Sequence, residues 1–285
     1  MVVIKIGIPI VKTIKKRTSI RTYDERKLTD FDKEKLIKFF NELSNPFGEK
    51  IKIYLTEKMV DGNGKKLGTY GIVKGANSFL GASVASTEFG LEALGYEFEN
   101  LILYATHIGL GTVWLGATFS RNSFATAMGV NDTELFPVIS AVGYPAGKKN
   151  LKDLVMRKVM KSDKRKSWDK LFFNNNFSTP LIEKEAGFYK IPLKMLRLAP
   201  SATNAQPWRI LKVDNVIHFY MSHNINANES EKMIKRVDLG IGISHFHQTA
   251  LEYGLVGSFQ KCSQESIEIP ENMKYVISWI EKTNY

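Results

Sequence analysis

The stretch Ala199-Pro200-Ser201-Ala202-Thr203-Asn204-Ala205-Gln206-Pro207-Trp208-Arg209 constrains the fold more than any other in this chain. Pro200 and Pro207 each hold φ near about −65° and bias the residue before them away from helix. No regular element can therefore run through the stretch. Between the prolines, Ser201, Thr203, Asn204 and Gln206 offer hydroxyl and amide donors and acceptors at fixed positions. Trp208 adds a flat apolar surface with one N–H. Ile210-Leu211-Lys212-Val213 then reads as a strand, so a rigid turn feeds directly into a sheet. Composition alone leaves two readings open, a well-capped connection and a seat for a planar, hydrogen-bonding ligand.

The rest of the chain supplies alternating helix and strand signals. Arg17, Ser19 and Arg21 alternate, so an extended backbone presents all three on one side. Two guanidiniums and a hydroxyl so placed suit a phosphate group, though a charged solvated face explains them too. Thr29 caps a helix with acids in its first turn, and Leu36, Phe39, Phe40 and Leu43 share a face. Asn45-Pro46-Phe47-Gly48 breaks it, and strands are expected at 51–55 and 78–84. A long helix carries Leu91, Leu94, Phe98, Leu101, Ile102, Ala105 and Ile108, with Gly109 as its C-terminal glycine. Gly109-Leu110-Gly111-Thr112-Val113-Trp114-Leu115-Gly116 follows a helix, unlike the dinucleotide fingerprint, and Trp114 stands where a third glycine belongs. Phe136 to Pro145 is a further apolar strand. In the second part, Leu193 to Leu198 reads as a short helix. Val213-Asp214-Asn215-Val216 reads as a hairpin turn, Asp238 as the cap of a helix ending near Gly254, and Tyr275 to Ile280 as a strand.

Charge is local. The net +11 is concentrated in residues 11–21, which carry +5, and residues 148–170, which carry +7. Such patches favour anionic partners. No helix-turn-helix, RNP or zinc-finger pattern supports nucleic acid, and a phosphate-bearing cofactor needs only a few of these charges. No apolar run approaches the ~20 residues of a membrane helix. The N-terminus lacks the pattern of a cleaved signal, and the single Cys262 cannot form an internal disulfide. These features favour the cytoplasm. His107, His218, His223, His245 and His247 read as structural or surface residues, and no metal site is expected.

The two parts repeat a loose plan of helix, proline-broken turn, strand and long helix. The long helices end in His107-Ile108-Gly109-Leu110 and Glu252-Tyr253-Gly254-Leu255. Taken together, Arg17-Thr18-Ser19-Ile20-Arg21, Pro200-Ser201-x-x-Asn204-x-Gln206-Pro207-Trp208, Gly109-Leu110-Gly111-Thr112-Val113-Trp114, Gly143-Tyr144-Pro145 and Lys164-Arg165-Lys166 resemble the motif set of the FMN-dependent nitroreductases. The likeness is greatest to single-chain, internally duplicated members. It implies an α+β fold of two similar halves, each a mainly antiparallel sheet with flanking helices, packed as a pseudo-dimer. The halves would be residues 1–173 and 174–285, divided near Asn174-Asn175-Asn176.

The resemblance also implies a composite site for one FMN between the halves. Arg17, Ser19 and Arg21 would hold phosphate and ribityl chain, with Lys164, Arg165 or Lys166. Pro200, Ser201, Asn204 and Gln206 would touch the flavin from the other half, and Leu115, Gly116 and Ala117 would bring backbone to the ring. No side chain would be catalytic, because the flavin carries the redox step. NAD(P)H would donate hydride and leave, and a nitroaromatic, quinone or similar small-molecule acceptor would follow. A monomeric pseudo-dimer is expected, with further homodimerisation open. A non-enzymatic FMN-binding or regulatory protein, reductive dehalogenation or dehydrogenation on the same fold, and a basic nucleic-acid binder are the rival readings.

Overall fold

A computed structural model of the protein describes residues 5–57, 60, 64, 67–147, 164–224 and 226–282. Of the second basic run, only residues 164–170 fall within them. The first half opens with α1 (Ile10–Lys16), whose Ile10, Thr13 and Ile14 are buried. Helix α2 (Asp30–Asn41) starts where Thr29 Oγ1 accepts the Asp32 amide at 3.1 Å. Strands β1 (Ile51–Thr56) and β2 (Ser78–Val84) lead to α3 (Gly90–His107), followed by β3 (Gly111–Leu115), α4 (Arg121–Met128) and β4 (Leu135–Gly143). The four strands form an antiparallel sheet in the order β1-β2-β4-β3.

The second half repeats that sheet. After β5 (Phe172–Asn174) and β6 (Asn176–Pro180) come α5 (Lys190–Leu198), β7 (Trp208–Val213) and β8 (Val216–Ser222). Then follow α6 (Glu229–Glu252), β9 (Gly257–Gln260) and β10 (Met273–Glu281). The order is β6-β5-β7-β8-β10-β9, so β7-β8-β10-β9 reproduces β1-β2-β4-β3. β5 runs parallel to β7, while its other neighbour β6 is antiparallel. The division expected at residue 174 falls inside β5.

Helices α3 and α6 join the halves. One apolar cluster runs from β2 and β4 through both helices to β7, β8 and β10. Residues Gly90–Leu103 of α3 are all buried, as are Val237–Ala250 of α6. Helix segments buried on every side belong at the centre of a core. They approach closely enough to exclude any side chain at two points. A Cβ on Gly95 would lie 2.2 Å from the Val237 carbonyl oxygen, and one on Gly240 would lie 2.0 Å from that of Glu92.

These contacts obey a two-fold relation. An interval of 145 residues separates Gly95 from Gly240, Glu92 from Val237, and Gly109 from Gly254. If Gly95 meets Val237, the symmetry mate is Gly240 meeting Glu92, as in an isologous dimer. The pair Glu99–His245 likewise maps onto Ser244–Asn100; both are hydrogen bonded at 2.8 Å. Both helices end alike. Gly109 (φ +91°) and Gly254 (φ +77°) occupy the left-handed region, and Leu110 and Leu255 return amides to Ala105 and Ala250 at 2.9 Å.

The structure corrects the role of Asp238. Helix α6 begins ten residues earlier than a cap at Asp238 would place it, where Asn228 Oδ1 accepts the Glu231 amide at 2.9 Å. Its first two turns are largely polar, so the apolar periodicity marks only its buried part. Asp238 lies mid-helix, 4% exposed.

A methyl group at Gly240 must separate α3 from α6. Gly240→Ala is expected to cost about 3 kcal/mol, the upper end for core overpacking. A lower urea midpoint measures this, and an unchanged midpoint would show that the glycine contact carries no strain-free packing of its own.

Candidate functional site between the halves

A cavity of ≈ 340 Å³ opens beside this helix pair. The first half supplies one wall. Leaving α1, the chain extends past Arg17 and forms a parallel bridge from Ser19 to Thr112, with the Ile20 amide on the Thr112 carbonyl at 2.8 Å. Arg17, Ser19 and Arg21 all line the cavity. Trp114, Gly116 and Val138 continue the wall from the sheet. A Cβ on Gly116 would come within 2.9 Å of Ile234 Cδ1, so glycine keeps this edge open. Leu115 faces the core at 2% exposure, and Ala117 is exposed and outside the lining.

The second half supplies the other wall from the turn after α5 and from Ile234, Val237, Asp238 and Ile241 of α6. Helix α5 stops at Ala199, which is extended (ψ 140°) because Pro200 follows it. Thr203 (φ +50°), Asn204 (φ +57°) and Gln206 (φ +48°) then take left-handed backbone, rare for residues other than glycine. Such conformations cost roughly 1–3 kcal/mol each and persist where surroundings enforce them. Here the enforcement is visible. Ser201 Oγ accepts the Gln206 amide at 2.9 Å, and Asp238 accepts the Ala202 amide.

The amides of this turn serve the connector from the first half. Asn204 Nδ2 donates to the Lys164 carbonyl at 2.6 Å, and its Oδ1 accepts from Arg165 Nη1 at 3.0 Å. Gln206, 2% exposed, accepts the Lys166 amide on Oε1 at 2.9 Å and donates Nε2 to the Asn204 carbonyl. Pro200, Ser201 and Asn204 line the cavity, whereas Gln206 does not. Of the basic trio, only Arg165 reaches the cavity. Lys164 is exposed. Lys166 Nζ donates to the Ala205 carbonyl at 2.8 Å, and burial, reinforced by Arg209, Lys235 and Lys170, lowers its pKa to about 8.

Behind the wall lies a buried polar group that no local pattern announced. Glu99 is fully buried. Its Oε2 accepts from Trp114 Nε1 at 2.8 Å, its Oε1 lies 2.8 Å from His245 Nε2, and Arg17 Nε lies 4.0 Å away. His245 Nδ1 faces the Met195 carbonyl at 3.0 Å. A carbonyl can only accept, so Nδ1 carries a proton, and Glu99 and His245 share another between them. Glu99 thus holds two cavity residues, Trp114 and Arg17. The available signal was an acid amid the apolar residues of a helix buried on all sides.

Among the described residues, aromatic rings occupy the symmetry mate of part of this cavity. By the 145-residue interval, Ile234, Ile241 and Trp114 correspond to Phe89, Tyr96 and Phe259. Phe47, from the shortened turn of the first half, packs among them with ring centroids 5.5, 6.3 and 6.1 Å away.

The family model described as "Putative TM nitroreductase" matches residues 9–250, and the chain belongs to that family. A Thermotoga maritima crystal structure described as a putative nitroreductase shares the fold at 21% identity. Its TM-score is 0.60, over 96% of this chain and 94% of that one. A nitroreductase with bound FMN from Bacteroides fragilis matches at 18% identity and TM-score 0.41, covering 51% of this chain and 92% of its own. A nitroreductase family protein from Clostridium novyi matches at 20% and 0.40, over 50% and 89%. No curated protein matches the sequence.

Gln206→Ala strips the Lys166 amide and the Asn204 carbonyl of their partner. Leaving buried polar groups unsatisfied costs about 1–3 kcal/mol. The expected outcome is a lower urea midpoint together with faster tryptic cleavage at residues 164–166 under native conditions. Unchanged cleavage would show that the connector is held by other contacts.

Proposed function

We propose that this chain is an FMN-dependent NAD(P)H oxidoreductase of nitroreductase type, with one FMN per chain in the cavity between the halves. The observation that carries this reading is the division of that cavity. Arg17, Arg21 and Arg165 and the hydroxyl residues Thr18 and Ser19 line it together with apolar Trp114, Val138, Ile234, Val237 and Ile241. A molecule with an anionic phosphate and a flat ring needs both kinds of surface. The residues present therefore fit FMN.

Arginine gives phosphate directional, charge-assisted hydrogen bonds, so Arg17, Arg21 and Arg165 would hold that end, aided by Ser19. Lys164 and Lys166 would act indirectly, through the connector they flank. Pro200, Ser201 and Asn204 would form the opposite rim, with Gln206 bracing them from behind. The backbone of Leu115, Gly116 and Ala117 would run along the ring edge, where Gly116 leaves room. Apolar side chains keep water from the ring.

When bound, FMN supplies two-electron hydride chemistry at its N5, so the protein need provide no nucleophile and no catalytic side chain. Its own contribution would be binding, orientation and positive charge. NAD(P)H and an electron-poor small molecule, such as a nitroaromatic or a quinone, would use the same open face in turn. The aromatic packing of Phe47, Phe89, Tyr96 and Phe259 at the mate position supports a single flavin. The two like sheets pair within one chain, which supports a monomer acting on small molecules.

The freshly purified protein is expected to show flavin absorption bands and to release one FMN per chain on denaturation. Arg17→Ala combined with Arg21→Ala removes two charge-assisted contacts of about 1.5–3 kcal/mol each, so FMN affinity should fall a hundredfold or more. NADH or NADPH oxidation should be stimulated by menadione. A colourless protein that takes up no added FMN would overturn the reading, and two flavins per chain would overturn the filled second site.

A further inference from the structure

Asp238 braces the turn through the Ala202 amide, and that single donor leaves its carboxyl with acceptor capacity to spare. It lines the cavity from α6 and is 4% exposed. Both of its oxygens lie 3.1 Å from one donor, the Ala202 amide. An ionised carboxylate has about four acceptor positions and, when buried, needs several donors or a cation beside it. Asp238 has one N–H for two oxygens, and among the described residues no ion pair includes it. A carboxylic acid satisfies this arrangement better. One oxygen accepts from Ala202, and the other carries a proton that needs an acceptor. The cavity is the open space on which that hydroxyl borders. At the filled mate position the interval of 145 residues puts Ala93, so the carboxyl occurs only on the open side.

We propose that Asp238 donates a hydrogen bond to the ligand in this cavity, through a neutral carboxyl whose other oxygen is fixed by the Ala202 amide. The proposal rests on the FMN reading and deepens it. It adds a contact from α6 and gives the site a preference for flat rings that present a carbonyl oxygen or an unprotonated ring nitrogen at that edge.

The electrostatic surroundings agree. Burial pushes the Asp238 pKa up to about 8, against the lowering pull of the Ala202 amide and Lys235. Lys235, on its own helix, is the charged group recorded as acting on the carboxyl; Lys15, Arg17 and Arg21 from the first half and Arg165 from the connector line the same cavity. A carboxyl with a raised folded pKa keeps its proton below that pKa and loses it above. The donated hydrogen bond is therefore present at neutral pH and lost as pH rises through about 8, where a negative charge replaces it.

The test is equilibrium binding of FMN to the flavin-free full chain, read by flavin fluorescence from pH 6.5 to 9.5. Asp238→Asn keeps an acceptor for Ala202 and a donor toward the cavity but cannot ionise. Lys166 titrates in the same window, so the readout is the difference between the two profiles. The wild-type dissociation constant should rise up to tenfold per pH unit above about pH 8, relative to D238N, and the two should agree near pH 6.5. Asp238→Leu should bind at least tenfold more weakly at pH 6.5. Parallel wild-type and D238N profiles, or a D238N weaker at every pH, would overturn the proposal and leave a carboxylate that merely braces the turn. Absence of FMN binding by the wild type at every pH would instead overturn the FMN reading. If D238N does not fold, the profile of Lys166→Met, which removes the competing titration, carries the test: a rise above pH 8 supports the proposal and a flat curve overturns it.

Discussion

The close approach of α3 and α6 is the contact on which the rest of the molecule depends. Two glycines let each helix backbone press against a carbonyl of the other, and no side chain fits there. That contact sets the distance between the two sheets. The cavity lies beside it, with one wall from each half, so its width follows from the helix spacing. Arg236 reinforces the same seam by a bidentate pair with the buried Glu92, at 2.7 and 2.6 Å. Such pairs combine charge with directional hydrogen bonding. The seam is thus both the structural centre and the scaffold of the site.

Much of this plan was legible in the sequence, because local chemistry carried it. Thr29 with acids behind it, glycine after a long apolar helix, and alternating apolar residues each have one dominant local outcome. The two Gly-Leu helix ends even revealed the duplication. Helix α1 had a local signal too, in Ile10, Thr13 and Ile14, but three lysines among its seven residues obscure the apolar spacing. Helix α4 is short and polar enough to pass as a loop. The start of α6 was hidden because eight polar-rich residues precede its buried part.

The site was less legible, for a different reason. A side-chain amide looks the same whether it serves a ligand or a backbone. Asn204 lies on the cavity wall and Gln206 behind it, two residues apart in one turn, and only the path of the connector separates their roles. Glu99 and His245 lie on different helices and meet only through the two-fold seam. No periodicity within either helix predicts a partner 146 residues away. Arg165 stands out from Lys164 and Lys166 on the same ground, since three adjacent cations differ only in which way the chain turns them.

Fusion of the two halves explains how one cavity could become polar while its mate filled with rings. In an isologous dimer of identical chains, every substitution appears in both sites at once. A charged group favourable in one cavity would be imposed on the other. Here each position changes alone. Glu99 and His245 form a proton-sharing pair toward the open cavity, while their mates Ser244 and Asn100 make a neutral hydrogen bond. Asp238 corresponds to Ala93, Trp114 to Phe259 and Ile241 to Tyr96. Buried charge is costly unless partners are supplied, and rings that fill a void recover contact that an empty cavity forfeits. Concentrating the charge on one side and the aromatic volume on the other lets a single chain keep a built polar site without leaving a second, unsupported hole in its core.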